Sequence, residues 1–182
     1  NRKVTLSKSG EAKVIRSHRY LASVAKESGT FYGVNTGFGL LSNVRVSSED
    51  LESLQYNLLR SHAAGTGPAL EDKYVRAMLL LRAQSLVEGY SGVNVQIIKN
   101  LIQMLNKGVH PIVPEQGSVG ASGDLAPLSH IASSLIGFGK VEFNNVNYSL
   151  SELYELPAIQ KINQETDNFN TKNSKFQQSY GC

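Results

Sequence analysis

The chain has 182 residues, 41% of them hydrophobic, a formal net charge of +3 and a single cysteine, Cys182. That is enough apolar material for one domain with a core, and one cysteine excludes an internal disulfide framework and fits a reducing, cytoplasmic setting. Lys and Arg are scattered, which leaves no footprint for nucleic acid, and the longest apolar run, AMLLL (77–81), is far too short to span a bilayer.

Residues 11–27 carry Val14, Ile15, Tyr20, Leu21 and Val24 at helical spacing and read as an amphipathic helix. The segment GTFYGVNTGFGLLSN (29–43) sets four glycines and two asparagines among aromatics and reads as a loop shaped by Asn35 and its glycines. Ser47 or Ser48 is the expected N-cap of a second helix, with Glu49 and Asp50 in the first turn, where the helix dipole favours them. Leu51, Leu54, Leu58 and Leu59 carry that helix to about Ser61, and GTGP ends it. A third helix runs through Tyr74, Val75, Met78, Leu79, Arg82 and Leu86 to EGYSG. A fourth runs from Val95 to Asn106, with Gly108 as its stop. Pro111 and Pro114 hold HPIVPEQG extended. LAPLSHIASSLIG forms a helix with Pro127 in its first turn, where a missing N–H costs little. KVEF-NN-VNYS is a hairpin on an Asn144-Asn145 turn. From Gln160 onward, eight of 23 residues are Asn or Gln and no apolar stripe remains. The expectation is a mainly α domain with small β elements over residues 1–157, and a polar tail over 158–182.

Between Gly117 and Pro127 the chain reads GSVGASGDLAP. Three readings are open. A tight connection would use the glycines for positive φ and close approach. An anion cradle would use free N–H groups ahead of a helix, yet neither G-x-x-x-x-G-K-[ST] nor G-x-G-x-x-G is present. In the third reading the backbone itself reacts. The Gly123 amide nitrogen attacks the Ala121 carbonyl carbon, whose oxygen leaves as water, and Ser122 loses its hydroxyl as a second water to become dehydroalanine. Gly123 has no Cβ to obstruct the approach, and Ala121 has the smallest side chain of any chiral residue. The product is an electrophilic exocyclic methylene conjugated with a five-membered ring. A helix N-terminus beside it favours negative charge developing there.

GSVGASGDLAPLSH resembles the signature of the histidine and phenylalanine ammonia-lyase family. YGVNTGFG (32–39), LQYNLLRSHAAGTG (54–67), EGYSG (88–92) and GFGKV (137–141) are similar to further family segments, in family order. The resemblance covers roughly residues 1–157 and implies the N-terminal domain of the ammonia-lyase (fumarase/aspartase-like) fold. It implies that Ala121, Ser122 and Gly123 form 4-methylideneimidazol-5-one, with Asp124 as the aspartate that follows. It implies that Tyr32 is the base removing a β-proton from an amino-acid substrate. A phenol, with a reference pKa of about 10, needs surroundings that stabilise phenolate for that role. It further implies that Ser61 and His62 select the substrate side chain. A Ser-His pair suits an imidazole, because a site that hydrogen-bonds discriminates better than one built on shape. The implied reaction is L-histidine to urocanate and ammonia, with no metal or nucleotide, in homotetramers whose sites draw on several subunits.

His18, His110 and His130 have no spacing that makes a metal site with Cys182 or carboxylates, and His130 is expected to pack its helix or support the site. Two positions depart from the family pattern: Asn94, where relatives show arginine, and Phe138, where they show glutamate. Residues INQETDNFNTKNSKFQQSYGC stand where the family continues with KEGLALxNGTQ, and the central helical bundle, second tyrosine and substrate-carboxylate arginine have no counterpart. The sequence therefore reads as a truncated ammonia-lyase. The alternatives are a phenylalanine or tyrosine lyase, an aminomutase, or a non-catalytic relative that interacts with full-length subunits.

Overall fold

The computed structural model describes residues 2–25, 29–120 and 123–156. Its first helix, α1 (Lys8–Val24), begins three residues earlier than the apolar spacing suggested, because Ser7 caps it and accepts the Gly10 N–H at 3.1 Å. Helix α2 (Ser48–His62) starts at Ser47, whose hydroxyl oxygen accepts the Asp50 N–H. Helix α3 (Asp72–Val87) buries Val75, Leu79, Ala83 and Leu86 along one stripe. Helix α4 (Val95–Lys107) buries Ile98, Leu101, Met104 and Leu105 and stops at Gly108, which is left-handed at φ +69°. Helix α5 (Leu125–Leu135) carries Pro127 in its first turn.

The α1, α3 and α4 helices pack on one another around Leu79, Ile98 and Leu101, all 0–1% exposed, while α2 packs against α5. Two small sheets join these groups. Strand β1 (Thr66–Ala69) pairs antiparallel with β3 (Pro114–Gln116), with Thr66 opposite Gln116 and Ala69 opposite Pro114 across an irregular register. Strand β2 (His110–Pro111) pairs with β4 (Lys140–Phe143), which forms a hairpin with β5 (Val146–Ser149). The hairpin turns on Asn144 and Asn145, both at positive φ (53° and 60°), as a two-residue turn matched to strand twist requires.

Strand β1, helix α6 and a short 3-10 turn at Gly39–Leu41 were not anticipated. Strand β1 contains Gly67 and Pro68, which read as a helix terminator; it forms because every residue in it is exposed and only one neighbour needs pairing, so Pro68 sits on an edge. Helix α6 (Leu150–Glu155) follows a capping box in which Ser149 and Glu152 satisfy each other's backbone N–H. The Ser149 hydroxyl and amide also hold the Glu152 carboxyl below its usual range. Among the described residues, no helix is long and apolar enough to cross a membrane. Residues 158–182 lie outside the described residues.

Candidate active site

The glycine-rich loop runs from the end of β3 to the start of α5. Ala121 and Ser122, two of the three residues expected to cyclise, lie outside the described residues; Gly123 and both flanks are described. Gly123 has φ +80°, a Cβ added to it would meet nothing within 4 Å, and its N–H points to the Gly120 carbonyl at 3.4 Å. Gly123 thus lies back toward Gly120. Asp124 stands at the N-cap of α5, where an aspartate ordinarily accepts a helix N–H, but it makes no such bond. Its carboxylate instead accepts the Ser118 hydroxyl, so that Ser118 and Asp124 close the loop from side to side.

The loop is seated on the segment that follows α2. A Cβ on Gly117 would lie 3.1 Å from the Gly65 Cα and 3.2 Å from the Ala126 Cβ. A Cβ on Gly65 would lie 3.0 Å from His130 Nε2 and 3.2 Å from both the Gln116 carbonyl oxygen and the Pro114 Cβ. A side chain at either position would force its neighbours to give way by a few tenths of an ångström, so glycine suits this close approach. His130, on α5, accepts the Gly65 N–H on Nε2 at 3.1 Å, which requires a neutral ring, and burial pushes its pKa down. His130 was expected to pack its helix or support the site; its ring has a specific partner in the Gly65 N–H.

Gly65 stands three residues beyond His62. The His62 Nδ1–H donates to the Leu58 carbonyl at 2.8 Å, the same oxygen that takes the Ser61 hydroxyl at 2.9 Å. Leu58 lies in the last turn of α2, so both side chains are held by that turn. With Nδ1 committed as a donor, the neutral ring offers Nε2 as an acceptor.

Tyr32 is placed elsewhere. It lies in the 29–46 loop, 67% exposed, with its ring edge-on to Phe38 at 5.9 Å. Among the described residues, no hydrogen bond or ring contact joins Tyr32 to His62 or to the 117–124 loop. The loop around it is nonetheless ordered from within. Asn35, 2% exposed, accepts the Phe31 N–H at 2.7 Å and donates to the Gly29 carbonyl at 3.0 Å, and Thr36 bridges to Arg45.

One expectation about the remaining histidines needs correction. Chain spacing suggested no metal-ligating set, but the fold brings ligand atoms of Asp72, His110 and Glu142 within 4.8 Å of one another. Glu142 is the cross-strand partner of His110, a pairing that spacing along the chain does not reveal. Arg76 decides what the set does. Its guanidinium donates to His110 Nε2 at 3.2 Å and to the Leu105 carbonyl at 3.2 Å, and Asp72 accepts from Nδ1 at 2.8 Å. A metal on Nδ1 would put the proton on Nε2, facing Arg76 donor to donor. The group is a hydrogen-bonded staple between α3 and the β2–β4 pair. His18 likewise serves packing, donating from Nδ1 to the Gly92 carbonyl at 2.8 Å.

Both departures from the family pattern have local explanations. Asn94 is the N-cap of α4 and accepts the Gln96 N–H at 2.9 Å. Phe138 packs edge-on against Tyr56 at 4.9 Å, and the Arg60 guanidinium lies over both rings at 5.9 and 5.8 Å.

The family model for aromatic amino acid lyases matches residues 1–167. Histidine ammonia-lyase of Geobacillus thermodenitrificans is 51% identical over 151 residues, which are 82% of this chain and 28% of that protein. Among solved structures, ergothionase from Treponema denticola superposes with a TM-score of 0.80 at 32% identity, over 85% of this chain and 31% of that one. Phenylalanine aminomutase from Pantoea agglomerans gives 0.78 at 34%, over 85% and 29%. The chain thus spans less than a third of the length of each. With a family match that covers nine-tenths of its residues and a helical fold shared with ergothionase and aminomutase structures, this chain belongs to the aromatic amino acid lyase family.

Proposed function

We propose that this chain supplies the electrophile-bearing portion of a histidine ammonia-lyase, which converts L-histidine to urocanate and ammonia. Ala121, Ser122 and Gly123 would form the 4-methylideneimidazol-5-one group, which supplies an electrophile for the substrate amine that no ordinary side chain provides. The described residues fit that group: Gly123 is unhindered and turned back toward Gly120, and the loop is closed by Ser118 and Asp124. Ser61 and His62 would hold the imidazole, with His62 Nε2 as the acceptor for a ring N–H. Tyr32 would take the β-proton once its loop lies over the bound substrate.

The observation that carries the reading is the contact of Gly65 with Gly117. It joins the selecting pair on α2 to the cyclising loop through three intervening residues. Identity of 51% to a histidine ammonia-lyase supports the choice of substrate. The 34% identity to a phenylalanine aminomutase keeps an aminomutase on the same scaffold as the second reading, and the polar Ser61-His62 pair speaks for histidine against it. Assembly into a homotetramer belongs to the same proposal. Leu40 and Leu41, 103% and 58% exposed, and Tyr90 at 91% offer apolar surface that such an assembly would cover.

Intact mass of the purified chain, with fragment spectra across Gly117 to Asp124, tests the first step. A chain two waters lighter than encoded, with the loss at 121–123 and absent in Ser122→Ala, is the expected result. An unmodified tripeptide in the folded chain would overturn the reading. Binding of L-histidine against L-phenylalanine, in the chain and in His62→Leu, tests the substrate: preference for histidine that His62→Leu abolishes is expected.

A further inference from the structure

Both ends of the loop that carries the cyclising triad converge on one residue. Upstream, Gly117 lies against the Gly65 backbone, and the pairing of β1 with β3 places Thr66 opposite Gln116 just before it. Downstream, His130 in the second turn of α5 takes the Gly65 N–H on Nε2 at 3.1 Å. These are independent fastenings, one through main-chain approach and one through a side chain 65 residues away. We propose that Gly65 is the common anchor of both ends of loop 117–124, and that His130 is the positioning residue that closes this anchor and holds the loop at the compression ring closure needs. The part concerning ring closure rests on the proposed function above.

The physical argument runs through geometry rather than charge. Attack of the Gly123 nitrogen on the Ala121 carbonyl is intramolecular, and its rate depends on how often the two atoms reach an attacking approach. A loop fastened at one end only samples many arrangements, and each fastening removes a share of them. The β1–β3 ladder fixes the upstream end alone. Without an acceptor at residue 130, α5 loses its bond to Gly65, and the Gly65 N–H is left without a partner in a half-buried place. The Ser118–Asp124 bond closes the loop upon itself but ties it to nothing outside. Gly65 explains its own identity in this scheme. A side chain there would push into His130 Nε2, the Gln116 carbonyl and Pro114 together, and so would spread both ends at once.

The test compares the 182-residue chain with His130→Leu, His130→Gln and Gly65→Ala, reading the ratio of dehydrated to unmodified mass. In His130→Leu that ratio is expected to fall by about tenfold, the effect of removing the acceptor from a half-buried donor. His130→Gln, whose side-chain carbonyl reaches the place of Nε2, is expected to recover to within about twofold of the original chain. A merely space-filling role for His130 would not distinguish Leu from Gln in this direction. Gly65→Ala keeps His130 and every core side chain, and is expected to lower the ratio as His130→Leu does. It carries the test if His130→Leu does not fold. Equal ratios in the original chain, His130→Leu and Gly65→Ala would overturn the proposal.

Hydrogen exchange separates this idea from the ring reading. If the original chain shows no two-water loss, the ring reading fails. The anchor then still stands if His130→Leu speeds exchange at Gly65 and at the amides of 117–120 and 125–128 while His130→Gln does not. Unchanged exchange at both flanks in His130→Leu overturns the anchor whether or not the ring forms.

Discussion

The two regions that carry expected site residues are built by opposite means. The segments 61–69, 114–120 and 123–130 are fixed by long-range contact: a strand pair, a glycine–glycine approach and a histidine reaching across 65 residues. The 29–46 loop is fixed locally, by Asn35 bonding both to the Phe31 N–H and to the Gly29 carbonyl, and by a bridge between Thr36 and Arg45. Its buried side chains are polar, Asn35 and Thr36, while Tyr32, Leu40, Leu41 and Val44 face outward. In the first region, then, backbone shape comes from packing. In the second it comes mainly from satisfied polar groups, with the Tyr32–Phe38 ring contact beside them. One consequence is that the scaffold under the glycine-rich loop and the loop bearing Tyr32 respond to different mutations.

The sharpest contrast comes from the scaffold. Leu79 is fully buried between α1, α3 and α4, so Leu79→Ala is expected to cost about 2–5 kcal/mol in urea unfolding, through lost transfer energy and the cavity left behind. Exchange in the 29–46 loop below the unfolding transition should not change. Asn35→Ala should do the reverse. It removes the side-chain partner of the Phe31 N–H and of the Gly29 carbonyl, at about 0.5–1.5 kcal/mol for each part-buried hydrogen bond lost. The cost is expected to appear as faster amide exchange across residues 31–46, with a smaller shift in the global midpoint. If Asn35→Ala lowered the global midpoint as much as Leu79→Ala, the loop would be part of the cooperative core and the comparison would fail.

How much of this was legible in the sequence follows the same division. Helices α2 to α5 and the Asn-Asn hairpin were readable because caps, leucine spacing and positive-φ residues are local signals. The start of α1 was misplaced because apolar spacing was weighed above Ser7, a cap with its own local signal. Helix α6 had a readable mark in Ser149 and Glu152, which was passed over because six residues carry little periodicity. Strand β1 had none: Gly67 and Pro68 argue against a strand, and only pairing with residues 114–116 makes one. The site divides likewise. Ser61, His62 and Gly123 could be pointed to from motif and chemistry. The bond of His130 to Gly65 and the meeting of Asp72, His110 and Glu142 could not, because both depend on chain separations that only the fold closes.

Titration probes the long-range region by itself. Burial holds the His130 pKa below its ordinary value, so the folded state favours the neutral ring that accepts the Gly65 N–H. The sign follows from linkage. The contribution is fully present above the unfolded value of about 6.5 and is lost as pH falls through the lower folded value. The urea midpoint of the original chain should therefore drop more between pH 7 and pH 5 than that of His130→Gln, which has no proton to take up there. Because the ring is only partly withdrawn from water, the difference should be small beside either mutation above. Parallel pH profiles in the two chains would mean that the ring does not depend on its neutral form.

The smallest expected effect is at the tip of the local region. Leu40 is 103% exposed, in the middle of the 3-10 turn that spans Gly39–Leu41, and its side chain takes no part in the hydrogen bonds that shape the loop. Leu40→Ser exchanges an apolar surface for a polar one without touching the Leu41 N–H to Phe38 bond or the Ser42 N–H to Gly39 bond that form the turn. Stability should move by less than about 0.5 kcal/mol, as for exposed positions in general, and exchange across 31–46 should stay as it is. A serine that left stability alone yet reduced self-association of the chain, read by sedentation-velocity or light-scattering mass at rising concentration, would identify Leu40 as surface kept for another polypeptide. A serine that loosened the loop would show instead that Leu40 packs on it, and that the local region is held by apolar contact after all.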